Sequence, residues 1–165
     1  MDIIPIGFSD SSFSDDPDDA KSTSDYAFLI ANRCISFGSH KQTTVALSSM
    51  EAEYMALTDA AKEAIFLHRL LTSLKFDVTD PFLIQTDSDS ALKHVKNNIN
   101  HPRTKHINRR HHYIREVYVN DEVNIEHVPA AEQTADILTK ALSTVLHART
   151  VKLLNLQVFT ISTST

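Results

Sequence analysis

Short apolar runs separated by polar turns dominate the N-terminal part of the chain. They predict three strands, at Ile3–Ser9, Tyr26–Ile30 and Cys34–Phe37. The first strand runs into Asp10 and is followed by a polar, Asp-rich loop over residues 11–24. The second and third strands should pair as a hairpin, because Asn32 between them accepts the left-handed geometry of a tight turn.

A long stretch with helical periodicity comes next. Ser48 or Ser49 can cap a helix that runs to about Leu74, with Glu51 in the first turn, where a negative charge suits the helix dipole. Apolar residues recur at spacings of three and four and form one face: Ala56, Leu57, Ala60, Ala64, Leu67 and Leu71. Small alanines on this face would let the helix lie close to a sheet.

Beyond Pro81 short strands and helices alternate. The pattern predicts a buried strand at Phe82–Thr86, helices at Asp89–Asn97 and about Lys105–Val119, a strand at Val123–Val128, and a helix at about Glu132–Leu142. The order β, β-hairpin, α, β, α, α, β, α favours a mixed sheet with helices on its faces, which is an α/β layered domain.

Composition restricts the class of protein. The chain has 165 residues and 18.5 kDa, with 42% hydrophobic and 22% charged residues, which fits one folded domain. No apolar run approaches the roughly 20 residues that span a bilayer. The single Cys34 forms no internal disulfide and is compatible with a reducing compartment, so we expect an intracellular protein, with cytoplasm and nucleus not distinguished.

Charge is unevenly distributed. The net charge is −5, yet seven Asp and one Lys fall in residues 1–25, whereas residues 101–115 hold five Lys or Arg, four His and no acid. Segregated charge of this kind suits an enzyme that holds divalent metal in one place and a polyanion backbone in another. Solvated acidic turns and a solvated basic helix face explain the same pattern.

Four acids occupy special places in the predicted outline. Asp10 and Asp87 end strands, and Glu53 and Asp136 lie in the first turns of helices. At about 100° per residue, Glu53 falls on the apolar face of its helix, whereas Glu51 points the opposite way with Thr58, Lys62 and Arg69. A carboxylate on an apolar face needs a partner or a cation, so Glu53 is the candidate and Glu51 an ordinary solvated residue.

Converging carboxylates favour Mg²⁺, or Mn²⁺ as its substitute, because both are hard cations that prefer oxygen ligands. Two such ions about 3.5–4 Å apart are a common arrangement for in-line attack on phosphate. Phosphoryl chemistry is therefore the natural hypothesis. Taken singly, each acid is also explained as a turn former or a helix cap.

Five separated motifs stand out: Gly7–Asp10 (GFSD), Asp16–Ser24 (DPDDAKSTS), Val45–Leu57 (VALSSMEAEYMAL), Arg103–Ile107 (RTKHI) and Ala135–Lys140 (ADILTK). Together they resemble the ribonuclease H domain at the end of Ty1/copia retrotransposon polyproteins. The resemblance covers about residues 7–142. It implies an RNase H-like domain over residues 1–145, with a five-stranded mixed sheet flanked by α-helices, and a divergent C-terminal extension over residues 146–165 whose last residues we expect to be disordered.

The resemblance also implies an activity. Carried over position by position, Asp10, Glu53, Asp87 and Asp136 match the family's catalytic, metal-binding acids, which hold two Mg²⁺ ions for endonucleolytic cleavage of the RNA strand in RNA–DNA hybrids. The candidates for contact with the hybrid are basic: Arg103, Lys105, Arg109, Arg110 and Arg115. The family's partner is an upstream reverse transcriptase domain, absent from this sequence, and we expect a monomer with no membrane association.

Two departures from the family bear on activity. Cellular relatives carry a mobile histidine just before the last helix, but Val128–Glu132 has none, which predicts slow turnover. The chain also lacks the tryptophans common in copia-type sequences. The alternative hypothesis is a catalytically silent, retroelement-derived module that binds nucleic acid or a protein partner without cutting.

Overall fold

The structure is a computed structural model that describes residues 5–78, 81–97, 108–133, 135 and 143–156, without the side chains of 108–112 and 153. Five strands and four helices follow one another in it. The strands are β1 (Ile6–Ser12), β2 (Thr23–Ile30), β3 (Arg33–Lys41), β4 (Phe82–Thr86) and β5 (Val123–His127). The helices are α1 (Ser49–Ser73), α2 (Asp89–Lys96), α3 (Asn108–Val119) and α4 (Thr144–Leu153), with a 3₁₀ turn at Ala130–Glu132.

The five strands form one mixed sheet in the order β3-β2-β1-β4-β5. The first three strands pair antiparallel as a meander, and β4 and β5 add in parallel on the other side of β1. Ala31 and Asn32 both have positive φ in the two-residue turn between β2 and β3, as a twisted hairpin requires. The predicted five-stranded α/β architecture is confirmed.

Helix α1 covers one face of the sheet and forms most of the core with it. Ser48 caps the helix by accepting a hydrogen bond from the Glu51 amide at 3.2 Å, and Glu51 accepts one from the Leu47 amide at 2.9 Å, so the predicted start is confirmed. Alanines on the predicted face are buried beside Phe28 and Ile84 of the sheet. Their small size is what allows the helix to lie against the strands.

The buried part of α1 is wider than the predicted face. Thr58, expected on the solvent side with Glu51, is fully buried, and its hydroxyl donates to the Tyr54 carbonyl at 2.9 Å. Helices α2 and α3 also pack against α1, so a second side of the helix is covered. The prediction for Thr58 was wrong because it assumed that only the sheet covers α1.

The first strand also differs from its prediction. It extends to Ser12, so Asp10 lies within β1 and not at its end. The extension is held by β2, which begins at Thr23 and pairs Asp10 with Asp25 and Ser12 with Thr23. Polar residues on both strands gave a loop-like pattern, although their backbones pair.

The C-terminal part contains a helix that the pattern did not reveal. Helix α4 is capped by Ser143, and Leu154 after it packs on the second face of the sheet with Ala27 and Leu29. The helix expected at about 132–142 falls almost wholly outside the described residues. Within them, Glu132 ends the 3₁₀ turn and Gln133 is extended.

We predict that Gly7→Ala lowers the free energy of unfolding by about 1–3 kcal/mol, because the added methyl overpacks the core. A Cβ at Gly7 would lie 2.3 Å from Cε1 of Phe28, which is fully buried and unable to move aside. Phe28→Leu should relieve the clash, so in urea unfolding the double variant should lose less stability than the two single variants together. Additive losses would contradict this packing.

Candidate metal centre

Three acids from distant parts of the sequence meet at one end of the sheet. Asp10 comes from β1, Glu53 from the first turns of α1, and Asp87 directly follows β4. Each offers a carboxylate oxygen, and these oxygens lie within 4.8 Å of one another. Asp10 is only 1% exposed, and the other two are partly buried. The sequence-based choice of Glu53 over Glu51 is consistent with this geometry, because Glu53 belongs to the group of three acids and Glu51 does not.

The two carboxylate oxygens of Glu53 have different surroundings. Its Oε1 accepts a hydrogen bond from the Ser11 hydroxyl at 2.9 Å, whereas Oε2 is shielded from solvent and has no hydrogen-bond partner among the described residues. Burial raises the pKa of Glu53 to about 8, and the nearby charges of Asp10 and Asp87 add to the increase. A buried carboxylate oxygen beside two other acids is a suitable ligand atom for a cation.

The main chain around Asp87 is fastened by its neighbours. The Ser88 amide donates to Thr86 Oγ1 at 3.1 Å, and the Val128 amide donates to the Thr86 carbonyl at 2.9 Å. The ring Nε2 of His127 lies 3.2 Å from the Asp87 carbonyl, which can only accept, so this nitrogen carries the proton. These bonds fix the point where β4 ends and α2 begins.

A further buried acid faces Asp10. Asp25 is its partner in the β1–β2 register, and both side chains are buried. The β1–β2 register therefore brings two carboxyl groups, Asp10 and Asp25, to the same end of the sheet. Sequence reasoning counted Asp25 only as part of the acidic N-terminal stretch.

Three other acids of that stretch have different roles. Asp16 and Asp19 pair with Lys41, the latter at 3.1 Å, and Asp15 accepts from the Thr23 hydroxyl at 2.9 Å. Lys41 lowers the pKa of Asp16 by hydrogen bonding to it. The acidic loop is therefore closed by turns and by ion pairs with Lys41 at the end of β3.

The predicted basic residues are only partly placed. Arg109 and Arg110 lie on α3, but the structure does not describe their side chains; Arg103 and Lys105 lie outside the described residues. The Arg115 guanidinium donates to the His94 carbonyl at 2.7 Å and to the Asn97 carbonyl at 3.0 Å. It thereby ties α3 to the C-terminal end of α2.

Asp136, the fourth predicted acid, also lies outside the described residues.

The donor set fits a hard divalent cation. Three carboxylates converge, one buried oxygen of Glu53 has no hydrogen-bond partner within the described part of the chain, and no sulfur or imidazole nitrogen belongs to the group. Such ligands suit Mg²⁺ or Mn²⁺. Sequence reasoning missed Ser11 and His127 as supports, although His127 follows from the parallel register that pairs it with Thr86.

Comparison with curated proteins places the sequence among transposon polyproteins. It is 38% identical over 141 residues to the retrovirus-related Pol polyprotein from transposon TNT 1-94 of Nicotiana tabacum, a match that covers 86% of this chain and 10% of the relative. The chain spans about a tenth of the length of the transposon polyproteins it matches. No protein-family model matches the sequence.

Solved structures with the same fold are RNase H domains. The N-terminal RNase H domain of rv2228c from Mycobacterium tuberculosis superposes with a TM-score of 0.61 at 13% identity, covering 91% of this chain and 97% of that one. LC11-RNase H1, solved in complex with an RNA/DNA hybrid, superposes with a TM-score of 0.58 at 14% identity, covering 81% of this chain and 92% of that one. Among the helices described, none has the length and apolar character to cross a membrane.

We predict that, without divalent metal, stability falls as pH rises from about 4.5 to about 8 and that Glu53 is one cause. Its pKa of about 8 in the folded chain lies above the ordinary value of 4.5, so the folded state keeps a proton that the unfolded state releases in this window. Glu53→Gln should remove this component, on the order of 1–3 kcal/mol, from urea unfolding measured in EDTA. Glu51→Gln is the matched control and should retain the wild-type slope.

Proposed function

The chain belongs to the Ty1/copia-type family of retrotransposon Pol sequences and has an RNase H-like fold, and from this premise we propose that it is a metal-dependent endoribonuclease that cleaves the RNA strand of RNA–DNA hybrids. The reaction is phosphodiester hydrolysis. Its place would be reverse transcription, where the RNA strand of a newly made hybrid is removed.

The main support for this proposal is the close approach of Asp10, Glu53 and Asp87. Their oxygens lie within 4.8 Å of one another, although the residues come from three separate elements. Carboxylates at this spacing are costly unless a cation or a proton compensates for their repulsion. A cation site at the exposed end of a sheet, where strand ends and loops form a crevice, is a suitable place for phosphate chemistry.

The residues have distinct proposed roles. Asp10, Glu53 and Asp87 would hold Mg²⁺, with Asp136 as a fourth ligand, and Mn²⁺ would substitute. When bound, the metal supplies activation of the attacking water and charge stabilisation at the phosphate. Ser11 holds one oxygen of Glu53, which leaves Oε2 free for a cation, and His127 holds the main chain of Asp87.

We further propose that basic residues from the segment between α2 and α3 in sequence, and from α3 itself, hold the hybrid's backbone: Arg103, Lys105, Arg109, Arg110 and Arg115. Contacts of this kind supply affinity through charge, whereas the 2′-hydroxyls of the RNA strand distinguish it from DNA. Arg115 differs from the others in this proposal because its guanidinium donates to carbonyls at the end of α2, so its contribution to binding would be mainly its positive charge.

Cleavage of labelled substrates tests the proposed activity. With Mg²⁺, the protein should cut the RNA strand of an RNA–DNA hybrid and leave double-stranded RNA, single strands and duplex DNA largely intact. Asp87→Asn should lower the cleavage rate by at least about 100-fold, since it removes a metal ligand. Asp89→Asn is the matched control, because Asp89 is exposed two residues away and pairs with Lys93.

The outcomes separate the alternatives. Cutting of hybrid that survives Asp87→Asn would place the activity at another site or in a contaminant. Binding of hybrid without cutting, in the presence of Mg²⁺ or Mn²⁺, would favour the silent binding module. Preference for structured RNA or duplex DNA would indicate a different nuclease of the same fold.

Metal binding should also stabilise the fold. At a concentration ten times the Kd, Mg²⁺ or Mn²⁺ should add roughly 1.4 kcal/mol and raise the Tm by about 3–6 °C. Asp10→Asn should abolish this increase, and in the metal-free protein it should raise the Tm, because it removes one of the mutually repelling charges. An unchanged Tm for the wild-type chain in millimolar Mn²⁺ would contradict the site.

A further inference from the structure

Gln42 is a buried side chain that connects the sheet to the start of α1. It directly follows β3 and is 3% exposed. Its Nε2 donates to Ser24 Oγ of β2 at 2.9 Å and to the Ala52 carbonyl of α1 at 3.0 Å. A carbonyl can only accept, so the atom beside Ala52 is the amide nitrogen, and both of its hydrogens are engaged. One carboxamide therefore ties β2 to α1.

Both contacts of Gln42 lie next to groups that place Glu53. Ala52 precedes Glu53 in α1, so Gln42 holds the main chain one residue before this acid. Ser24 is the register partner of Ser11, and residues opposed in this way have Cβ atoms about 4.5–5.5 Å apart on one face of the sheet. Ser11 in turn donates to Glu53 Oε1 at 2.9 Å. The backbone and the side chain of this acid are thus both tied to the β1–β2 pair.

The helix does not need Gln42 to satisfy its own backbone. In an α-helix each carbonyl accepts from the amide four residues further on, so the Ala52 carbonyl lies within the hydrogen-bond ladder of α1. Gln42 also keeps its Oε1 buried and, among the described residues, without a hydrogen-bond partner. A buried polar atom of this kind costs free energy that an apolar side chain of the same size would avoid. The choice of an amide at this position therefore indicates a role besides packing.

We propose that Gln42 is a positioning residue that holds Glu53 in the metal centre. It is not itself a ligand and acts through the main chain of α1 and the paired serines of β1 and β2. The inference rests on the proposed function, because it assumes that Glu53 binds a cation together with Asp10 and Asp87. These two acids come from the sheet side, so Glu53 meets them only while α1 keeps its distance from β2. Metal ligands must be held within about 0.5 Å, which a buried amide with both hydrogens engaged can do.

Two substitutions separate positioning from packing. Methionine has nearly the length and volume of glutamine but no N–H donor, so Gln42→Met removes both ties and keeps the filled space. Thr58→Val is the matched control. Thr58 is fully buried in α1, and its hydroxyl donates to the Tyr54 carbonyl of the same helix at 2.9 Å. The control therefore removes a buried hydrogen bond of α1 that does not reach the sheet.

A double-variant cycle on the whole chain tests whether Gln42 acts through Glu53. Mn²⁺ affinity would be measured by electron paramagnetic resonance, at a temperature where every variant is folded. Gln42→Met should weaken Mn²⁺ binding about 10-fold in the wild-type background and less than about 2-fold in the Glu53→Ala background, where no carboxylate is left to position. Thr58→Val should change the affinity less than about 2-fold, even where it lowers the urea midpoint of unfolding.

The resonance spectrum of bound Mn²⁺ supplies a readout that a loss of stability alone does not move. At saturating Mn²⁺ the zero-field splitting reports the arrangement of the ligands. Gln42→Met should change this splitting, whereas Thr58→Val should leave it as in the wild type. The comparison applies even where Glu53→Ala removes measurable binding.

Ser24→Ala is the milder variant if Gln42→Met does not fold. It keeps the Gln42 side chain and removes only its acceptor on β2. It should change the splitting in the same sense and weaken Mn²⁺ binding by a smaller factor. A wild-type splitting and affinity in this variant would contradict the proposed tie.

The outcomes distinguish failure of the inference from failure of the proposed function. If the wild-type chain binds no Mn²⁺, the proposed function fails and this inference fails with it. If the wild-type chain binds Mn²⁺ and Gln42→Met keeps its affinity and splitting, the inference alone is overturned and Gln42 has only a structural role. Equal weakening by Gln42→Met in the wild-type and Glu53→Ala backgrounds overturns it in the same way.

Discussion

Mutual repulsion among carboxylates is the constraint on which the organisation of this fold depends. Asp10, Glu53 and Asp87 approach within 4.8 Å in a partly desolvated place, and without a cation or a proton this arrangement opposes folding. Burial, with the neighbouring charges of Asp10 and Asp87, raises the pKa of Glu53 and so disfavours its charged form. Hydrophobic packing elsewhere must therefore hold the acids together, and a hard cation would turn the repulsion into attraction.

The sheet and α1 supply that packing. Parallel pairing of β1 with β4 matches Phe8 with Gln85, so Asp10 and Asp87, each two residues further along its chain segment, become neighbours. Ser48 fixes the start of α1, and the alanines along the helix allow it to lie close enough to the sheet for Glu53 to reach the same edge. Each acid is thus placed by contacts that contain no charge.

Local signals predicted much of this arrangement. The cap at Ser48 and the spacing of the alanines indicated α1 and the choice of Glu53, and the short apolar run before Asp87 indicated β4. All three signals depend only on residues that are neighbours in sequence. The extension of β1 through Asp10 depends on pairing with Asp25, and the burial of Thr58 depends on helices packed behind α1. Gln42, Ser11 and His127 act across the fold, so their roles could not be recognised before the register of the strands was known.

Each support of the site comes from an element other than the one that carries the acid it holds. Ser11 on β1 holds Glu53 of α1, His127 on β5 holds the main chain of Asp87, and Gln42 after β3 holds the main chain of α1 beside Glu53. The hydrophobic core uses none of the three acids. Loss of one acid would therefore remove a ligand and a source of repulsion while the core stays intact, so a chain with this fold can lose metal binding without losing its structure.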